Sequence, residues 1–326
     1  MQSFDPYDHD PHRWGVSLSQ SAELLLPCLD AAGARSVYEV GAFAGDLTRV
    51  LVAWAAEHGA TVGAIDPSPQ PDLVALAERH PELELIRRTS IDALPSIPQP
   101  DAIVIDGDHN WWTVSEELRL LAARDPLPLL LFHDVCWPHA RRDDYFDAEL
   151  IPADARQPVA GDAGGIFPGE PGLRAVGGLP YPRSAAREGG DRNGVLTAVE
   201  DFVATREDLR LAVVPVFFGF GVVWSAHAPY ADAVAALLAP YDRQPLLERL
   251  EANRVHHLAT QQTRQAEIWR LQERLARQEA LLRRLLDSSA VGVAERLSRL
   301  RVRAGLGAGH SVISKAEIRS VLDDDG

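Results

Sequence analysis

The chain has 326 residues, 46% of them hydrophobic, and a formal net charge of −15 at pH 7. This balance predicts a globular protein with its own core rather than a disordered one, and the negative charge argues against a general nucleic-acid binder. No apolar run reaches the ~20 residues that span a membrane. The two cysteines form no CxxC pair and the acidic start MQSFDPYDHD does not resemble a signal peptide, so we expect a reducing, cytoplasmic setting.

The charge is distributed unevenly along the chain. Residues 1–240 contain 35 acidic and 17 basic residues, a net charge of −18, whereas residues 241–326 contain 12 acidic and 15 basic residues, a net charge of +3. The change of sign predicts a separate element after residue 240. We expect one large domain over residues 1–240, beginning with an arm over 1–15, then a helical appendage over 241–304 and a flexible tail over 305–326.

Short apolar runs alternate with helical spacing as far as residue 132. The predicted strands are Ser36–Val40, Thr61–Ile65, Leu83–Arg87, Ala102–Ile105 and Pro128–Phe132. The predicted helices cover residues 17–32, 46–58, 70–80 and 113–123. The strands are apolar on both faces, and the alternation is typical of a doubly wound parallel sheet with helices on both sides.

The regular pattern stops after Val135, and residues 137–194 are rich in Gly, Pro, Arg and Asp. A stretch of this length inside a domain is usually functional or disordered. Regularity returns with a helix over 194–205 and with two strands, Leu209–Phe217 and Val222–Ser225, joined by a tight turn at 219–221. The predicted fold class is therefore α/β, a Rossmann-like and mostly parallel sheet that ends in an antiparallel hairpin.

From Leu246 to about Arg303 the chain is predicted to be helical. A heptad register places one apolar set on its a and d positions: Leu247, Leu250, Ile268, Leu271, Leu275, Leu282 and Leu285. Polar residues interrupt the same seam. The pattern predicts a coiled coil that assembles a homo-oligomer, and the alternative is a long amphipathic helix packed on its own domain.

The first strand runs into Glu39-Val40-Gly41-Ala42-Phe43-Ala44-Gly45, an ExGxxxG loop before a helix. Glycines at such a turn let the backbone approach a ligand closely. A dinucleotide-binding GxGxxG loop would need glycine at position 43, where this chain has Phe. Asp66, at the end of the second strand, is placed to accept hydrogen bonds from two ribose hydroxyls, and Glu39 to face an ammonium group. The alternative is a plain turn with an incidental acid.

Acids and histidines also follow the fourth and fifth strands, in Ile105-Asp106-Gly107-Asp108-His109 and Phe132-His133-Asp134-Val135. The carboxyl ends of parallel strands meet at one edge, where ligands bind in open α/β sheets, so we expect a catalytic site there. Converging carboxylates and imidazoles suit a divalent cation, and His109 suits a general base because imidazole titrates near neutral pH. The alternative is that these groups cap helices, Asp108 above all.

The order ExGxxxG, Asp66, IDGDH and HD over residues 36–135 resembles class I S-adenosylmethionine-dependent methyltransferases, in particular the branch related to metal-dependent sugar O-methyltransferases. The resemblance implies S-adenosyl-L-methionine as cofactor and methyl transfer to a hydroxyl. It implies a general base at His109 and Mg²⁺ ligands at Asp106 and Asp134. The cofactor contacts that it implies are Glu39, Gly41 and Gly45 at the methionine end, Asp66 at the ribose, Ser90, Ile91 and Asp92 at the adenine, and Asp106.

This chain has His133 where those relatives have a carboxylate. With Asp106 and Asp134, His133 completes a candidate metal set, and its imidazole shifts the preference from Mg²⁺ toward Mn²⁺, Fe²⁺ or Zn²⁺. The insert over 137–194 leaves the sheet at the same edge, which places it as a substrate lid. Within it, the residues expected to clamp or stack on the substrate are Arg141, Arg142, Trp137 and Tyr145. The alternative is that they are surface charges and loop anchors.

The predicted function is an S-adenosylmethionine-dependent O-methyltransferase acting on a small hydroxylated molecule, a sugar or polyhydroxylated metabolite, with His109 as base. Two alternatives remain open at this point: metal-dependent oxidation on a related fold, and a non-catalytic scaffold assembled by the helical segment. Calorimetry with S-adenosylmethionine separates them, because a scaffold is not expected to bind it.

Overall fold

The computed structural model describes residues 17–161, 164–305 and 314–323, and the arm expected over residues 1–15 lies outside them. The strands are β1 Ser36–Val40, β2 Thr61–Ile65, β3 Leu83–Ile86, β4 Ala102–Ile105, β5 Leu129–Phe132, β6 Gly165–Phe167, β7 Glu170–Arg174, β8 Leu209–Val214 and β9 Phe220–Ser225. The helices are α1 Ala22–Ala32, α2 Asp46–His58, α3 Pro71–Arg79, α4 Ser90–Ala93, α5 Trp111–Ala122, α6 Val195–Ala204, α7 Ala231–Leu238, α8 Pro245–Asp287, α9 Ser289–Arg303 and α10 Lys315–Asp323.

Seven strands form one sheet in the order β3-β2-β1-β4-β5-β9-β8. The first five are parallel, whereas β9 pairs antiparallel with β5 and β8 pairs antiparallel with β9. The predicted parallel sheet with a terminal antiparallel hairpin is therefore confirmed. The strand order reverses between β1 and β4, so a crevice is expected beyond the carboxyl ends of these two strands.

The core lies on both faces of the sheet because its central strands are apolar throughout. Every residue of β4 and β5 is buried. Helices α1, α2, α3 and α7 cover one face with side chains such as Leu25, Leu51 and Val234. Helices α5 and α6 cover the other with Leu118 and Val199. Each such side chain stabilises the fold by roughly 1.5–3 kcal/mol when it leaves water. This packing holds the sheet in place, and with it the edge that carries the polar residues.

The hairpin and the insert differ in detail from the expectation. Strand β8 ends at Val214 instead of Phe217, because Phe217 and Phe218 have positive φ angles of 50° and 68°, which no strand accommodates. The insert is not wholly irregular, since β6 and β7 form a small antiparallel hairpin inside it. The short helices α4 and α7 were not predicted.

The C-terminal part also differs from one unbroken helix and a flexible tail. Ser288, with a ψ of 124°, separates α8 from α9. Within the expected tail, Lys315–Asp323 form α10. Ser314 and Glu317 explain its start, because the backbone N–H of Ser314 donates to the Glu317 carboxylate and the N–H of Glu317 donates to the Ser314 hydroxyl. This reciprocal pair is a capping box, S-x-x-E, and it is readable in the sequence.

The chain divides into two compact units, Met1–Thr263 and Arg264–Gly326, and the division falls inside α8. The first unit holds the sheet, the insert and the first turns of α8. The domain limits expected from the charge pattern stay a prediction. In the part of the chain that the structure describes, no helix is long and apolar enough to cross a membrane.

Candidate functional site

The loop between β1 and α2 lies against the loop that follows β4, at the point where the strand order reverses. The N–H of Gly41 donates to the carbonyl oxygen of Ile65 over 2.9 Å, and a Cβ on Gly41 would lie 2.0 Å from the carbonyl oxygen of Asp106. Gly41 and Gly45 have φ angles of 83° and 85°. Glycine is therefore required at position 41 by the neighbouring loop and favoured at 45 by the left-handed entry into α2.

Two acids border this loop. Glu39 is 2% exposed and accepts the Thr48 hydroxyl over 2.6 Å, and burial raises the pKa of its carboxyl to about 8. Asp66 accepts the backbone N–H groups of Phe43 and Ser68, each over 2.7 Å. A carboxylate oxygen has a second lone pair, so Asp66 fixes the loop and still offers acceptors to a ligand.

The predicted adenine-binding residues form the first turn of α4. The Thr89 hydroxyl accepts the N–H of Asp92 and donates to its carboxylate, which fixes the start of the helix. Ser90 is buried, Ile91 is half-buried and Asp92 is exposed. Because β3 pairs with β2 in parallel, this turn lies at the same sheet edge as Asp66.

Four side chains meet beyond the adjacent strands β4 and β5. The Nδ1 atom of His133 lies 3.1 Å from Oδ1 of Asp106 and 3.2 Å from Oδ2 of Asp134. The Nδ1 atom of His109 lies 3.3 Å from the same Oδ2 of Asp134. His133 is 3% exposed and His109 is 27% exposed, so His109 is the imidazole of this pair that a substrate can reach. The parallel sheet thus brings together residues that are far apart in the sequence.

The charges in this cluster reinforce one another. Burial alone would lower the pKa of His133, but Asp106 and Asp134 raise it well above its ordinary value. Burial likewise opposes ionisation of Asp134, yet the imidazoles of His133 and His109 hold the pKa of its carboxyl below the ordinary value. The pKa of His109 is raised, since its neighbouring carboxylates outweigh its burial. The cluster therefore keeps Asp134 ionised beside cationic or proton-sharing imidazoles.

Three residues of this cluster have the geometry of a metal site. One ligand atom from each of Asp106, His133 and Asp134 lies within 4.8 Å of the others. Two carboxylates and one imidazole are a ligand set that suits Mn²⁺ and related divalent ions. The residues present therefore fit a divalent cation, which would take the place of the proton on Nδ1 of His133.

Sequence reasoning missed two members of the site. The ring of His139 stacks on that of His109, with centroids 5.1 Å apart and planes 14° apart, and the Tyr181 ring packs against its edge. The carbonyl oxygen of Phe217 lies 2.9 Å from Nε2 of His133. His139 stands in the irregular insert and carries no motif, and a backbone carbonyl has no sequence signature.

Asp108 lies in the IDGDH motif but takes no part in the cluster. Its carboxylate accepts the Thr113 hydroxyl over 3.1 Å and the N–H of Phe146 over 2.8 Å. The cap of α5 is Asn110, whose side chain accepts the N–H of Thr113. Asp108 thus joins α5 to the insert, whereas the helix cap expected of it is supplied by Asn110.

The residues expected to clamp a substrate are engaged within the insert and α6. Arg142 is fully buried and donates to the carbonyl oxygens of Ala185 and Pro171 over 2.6 and 3.0 Å. Arg141 donates to the Glu200 carboxylate over 2.5 Å.

The two aromatic candidates are engaged in the same way. Tyr145 is fully buried and donates to the carboxylate of Asp143, which also accepts the N–H groups of Trp111 and Gly194. Trp137 packs in a small cluster with Ile166. The contacts of all four candidate residues favour the interpretation that they anchor the insert over the one that they bind substrate.

Residues 38–135 match the family model described as Methyltransferase domain, and these 98 of the 326 residues run from within β1 to just beyond the end of β5 and include the cluster. The match covers less than a third of the chain, so it is a similarity of this segment to methyltransferase domains. A comparison with curated proteins finds no match.

Solved structures share parts of the fold. The S-adenosylhomocysteine-bound methyltransferase PaMTH1 of Podospora anserina is 13% identical over 67% of this chain and 82% of that chain, with a TM-score of 0.40. Human N-acetylserotonin methyltransferase is 13% identical over 63% and 51% of the two chains, with a TM-score of 0.35. The O-methyltransferase NcsB1 from neocarzinostatin biosynthesis is 15% identical over 63% and 54%, with a TM-score of 0.37. Likenesses this distant do not bear on the activity of the chain.

Proposed function

We propose that the protein is an S-adenosylmethionine-dependent O-methyltransferase that acts on a hydroxyl of a sugar or polyhydroxylated small molecule. One observation carries the proposal. The segment that matches a methyltransferase domain carries the side chains that border the crevice expected beyond the carboxyl ends of β1 and β4, the β1/β4 crevice. The acids Glu39 and Asp66 border one side of it, and the cluster around His109 follows β4 and β5.

S-adenosylmethionine supplies an electrophilic methyl group on a sulfonium. Glu39 is suited to its ammonium group, because a buried carboxyl with a pKa near 8 gains most from a neighbouring cation. Asp66 accepts the ribose hydroxyls with the lone pairs that its two backbone donors leave over. The turn over residues 90–92 borders the adenine. The loop with Gly41 and Gly45 borders the methionine end of the cofactor.

His109 takes the proton of the attacking hydroxyl. Its Nδ1 faces Asp134, so this carboxylate orients the ring and leaves Nε2 as the atom that accepts the proton. His109 is partly exposed, which leaves room beside it for the hydroxyl that accepts the methyl group. Much of the rate would come from holding hydroxyl and methyl in line.

A divalent ion, Mn²⁺ or Mg²⁺, would be held by Asp106, His133 and Asp134. Its chemistry there is to lower the pKa of a bound hydroxyl. His133 is held for this role by its second nitrogen, which faces the Phe217 carbonyl.

The test is methyl transfer from methyl-labelled S-adenosylmethionine to a panel of sugars and other polyols, with Mn²⁺, Mg²⁺ or EDTA. We expect a labelled product and S-adenosylhomocysteine, and a kcat about 10²–10⁴-fold lower in His109→Ala with cofactor binding kept. His80→Ala is the matched control, because His80 precedes β3 at the opposite edge of the sheet. Full activity in His109→Ala would refute the base assignment.

Other outcomes of the same assay decide between the rival functions. A protein that does not bind S-adenosylmethionine would be a scaffold rather than an enzyme of this class. Oxidation of an acceptor in the presence of metal, without methyl transfer, would favour an oxidase on the same fold.

Self-association through the helical segment belongs to the same proposal. Three heptad residues of the second unit, Ile268, Leu271 and Leu275, are about half exposed. Apolar side chains at this spacing are expected to be covered by a second copy of the chain. The protein is therefore proposed to be a homo-oligomer.

A further inference from the structure

The turn between β8 and β9 has an unusual backbone. Phe217 and Phe218 are consecutive, both have positive φ angles, and Gly219 follows with a φ of 100°. Bulky residues rarely adopt the left-handed region, and when two do so in a row the surroundings must hold them there. Gly219 has its own reason, since a Cβ on it would lie 2.6 Å from the backbone nitrogen of Cys136.

Glu251 on α8 holds this turn. Its Oε2 accepts the N–H of Phe217 over 3.1 Å and its Oε1 accepts the N–H of Phe218 over 2.8 Å. The side chain of Arg254 donates to both oxygens over 2.6 Å, and its guanidinium lies 4.4 Å from the centre of the Phe218 ring. Glu251 is 7% exposed. One buried carboxylate therefore binds two consecutive amides and is itself held by a bidentate arginine.

The turn between β8 and β9 also contacts the cluster around His133. Nε2 of His133 lies 2.9 Å from the carbonyl oxygen of Phe217. A carbonyl oxygen only accepts, so Nε2 must carry the hydrogen and Nδ1 is the nitrogen directed at Asp106 and Asp134. The Phe218 ring packs edge-on to the His133 ring, with centroids 6.5 Å apart. The N–H of Cys136, two residues after Asp134, donates to the carbonyl oxygen of Phe218 over 2.7 Å.

We propose that Glu251 is a positioning residue for His133. By holding the two left-handed phenylalanines, it fixes the Phe217 carbonyl, and this carbonyl fixes the ring orientation of His133 and the hydrogen on its Nε2. The first turns of α8 are then part of the active site, although they follow the sheet in sequence. The inference deepens the proposed function and rests on it for the chemistry that His133 serves.

The direct test is the state of the His133 ring nitrogens, measured by NMR on protein with ¹⁵N-labelled histidine and assigned with His133→Asn. In the wild type we expect a protected Nε2–H. In Glu251→Gln one carboxylate oxygen is replaced by an NH2 group, which cannot accept the N–H of Phe217 or Phe218. We expect the Nε2–H of His133 to exchange at least tenfold faster in this variant. Glu251→Ala removes both acceptors and gives a larger increase. Glu248→Gln, the same change at an exposed position of α8, leaves the exchange rate unaltered.

Mn²⁺ titration gives a second readout. Loss of a carbonyl that orients a metal-binding histidine typically lowers metal affinity about 10–100-fold. We expect this loss in Glu251→Gln while affinity for S-adenosylmethionine is kept, and partial rescue in Glu251→Gln with Phe217→Gly, because glycine adopts the left-handed conformation without strain. Thermal unfolding of each variant identifies those that fail to fold.

The two hypotheses fail separately. An Nε2–H signal in folded Glu251→Gln and Glu251→Ala that matches the wild type would overturn the role of Glu251, even if the protein transfers methyl groups. A signal that responds as expected in a protein without methyl transfer would support the positioning role and count against the proposed function alone.

Discussion

The buried carboxyl of Glu39 predicts that cofactor binding releases a proton. Its pKa of about 8 means that at pH 6.5 nearly every cofactor-free molecule carries the proton. An ammonium group beside it favours the ionised form, so the proton leaves when S-adenosylmethionine binds. The α-amino group of the ligand takes up only about 0.05 proton at this pH, so the net release is about 0.9 proton. The affinity therefore rises as the pH rises from 6 toward 8.

The assay is isothermal titration calorimetry in buffers with different ionisation enthalpies. The slope of observed enthalpy against buffer enthalpy gives the number of protons released. Glu39→Gln has no proton to release, so its slope falls to about zero. It also loses a charge-assisted hydrogen bond worth about 1.5–3 kcal/mol, which corresponds to a roughly 10–150-fold weaker affinity.

Thr48→Val is the matched control. The Thr48 hydroxyl donates to Glu39 and lowers its pKa, so removing it raises the pKa of Glu39 and extends the proton release to higher pH. A wild-type slope near zero at pH 6.5 would refute the reasoning. So would an unchanged slope in Glu39→Gln, because the proton would then come from another group.

Three further changes test the packing. Glu117 is fully buried, and burial raises the pKa of its carboxyl to about 8. Since the unfolded chain loses this proton near pH 4.3, the free energy of unfolding should fall from pH 5 to 8, and Glu117→Gln should flatten that fall in urea titrations. An equal pH dependence in wild type and Glu117→Gln would contradict this. Arg142→Met should lower the free energy of unfolding by about 3–5 kcal/mol and speed proteolysis of the insert, because Arg142 is fully buried. The exposed Arg187→Met should do neither, and equal cleavage of the two variants would refute the anchoring role of Arg142. Leu271→Glu should shift the mass in light scattering toward the monomer and Gln272→Glu should not; an unaltered mass in Leu271→Glu would refute the interface.

The sheet was predictable because its strands are short apolar runs that only a two-sided core explains. The bounds of β1, β2 and β4 agree with the expected ones at every residue. The meeting of Asp106 with His133 and Asp134 was predictable for the same reason, since parallel neighbours end at one edge. Topology, rather than any local motif, carries that part of the site.

The remaining parts depend on contacts that have no local signal. The arginines of the insert satisfy backbone carbonyls that become neighbours only after folding, so Arg142 in a sequence looks the same whether it binds a substrate or a loop. His139 joins the site by stacking on His109 across the insert. Phe217 contributes a carbonyl, and its own N–H donates to the carboxylate of Glu251, which is distant in sequence.

The central claim is that the β1/β4 crevice presents the methyl group of S-adenosylmethionine to the cluster around His109. A crystal structure with this cofactor bound tests it most directly. We predict the ammonium group on Glu39, the ribose hydroxyls on Asp66 and the methyl group directed toward His109 and the carboxylates beside it. A cofactor bound outside the crevice, or one with its methyl group turned away from His109, would contradict this placement.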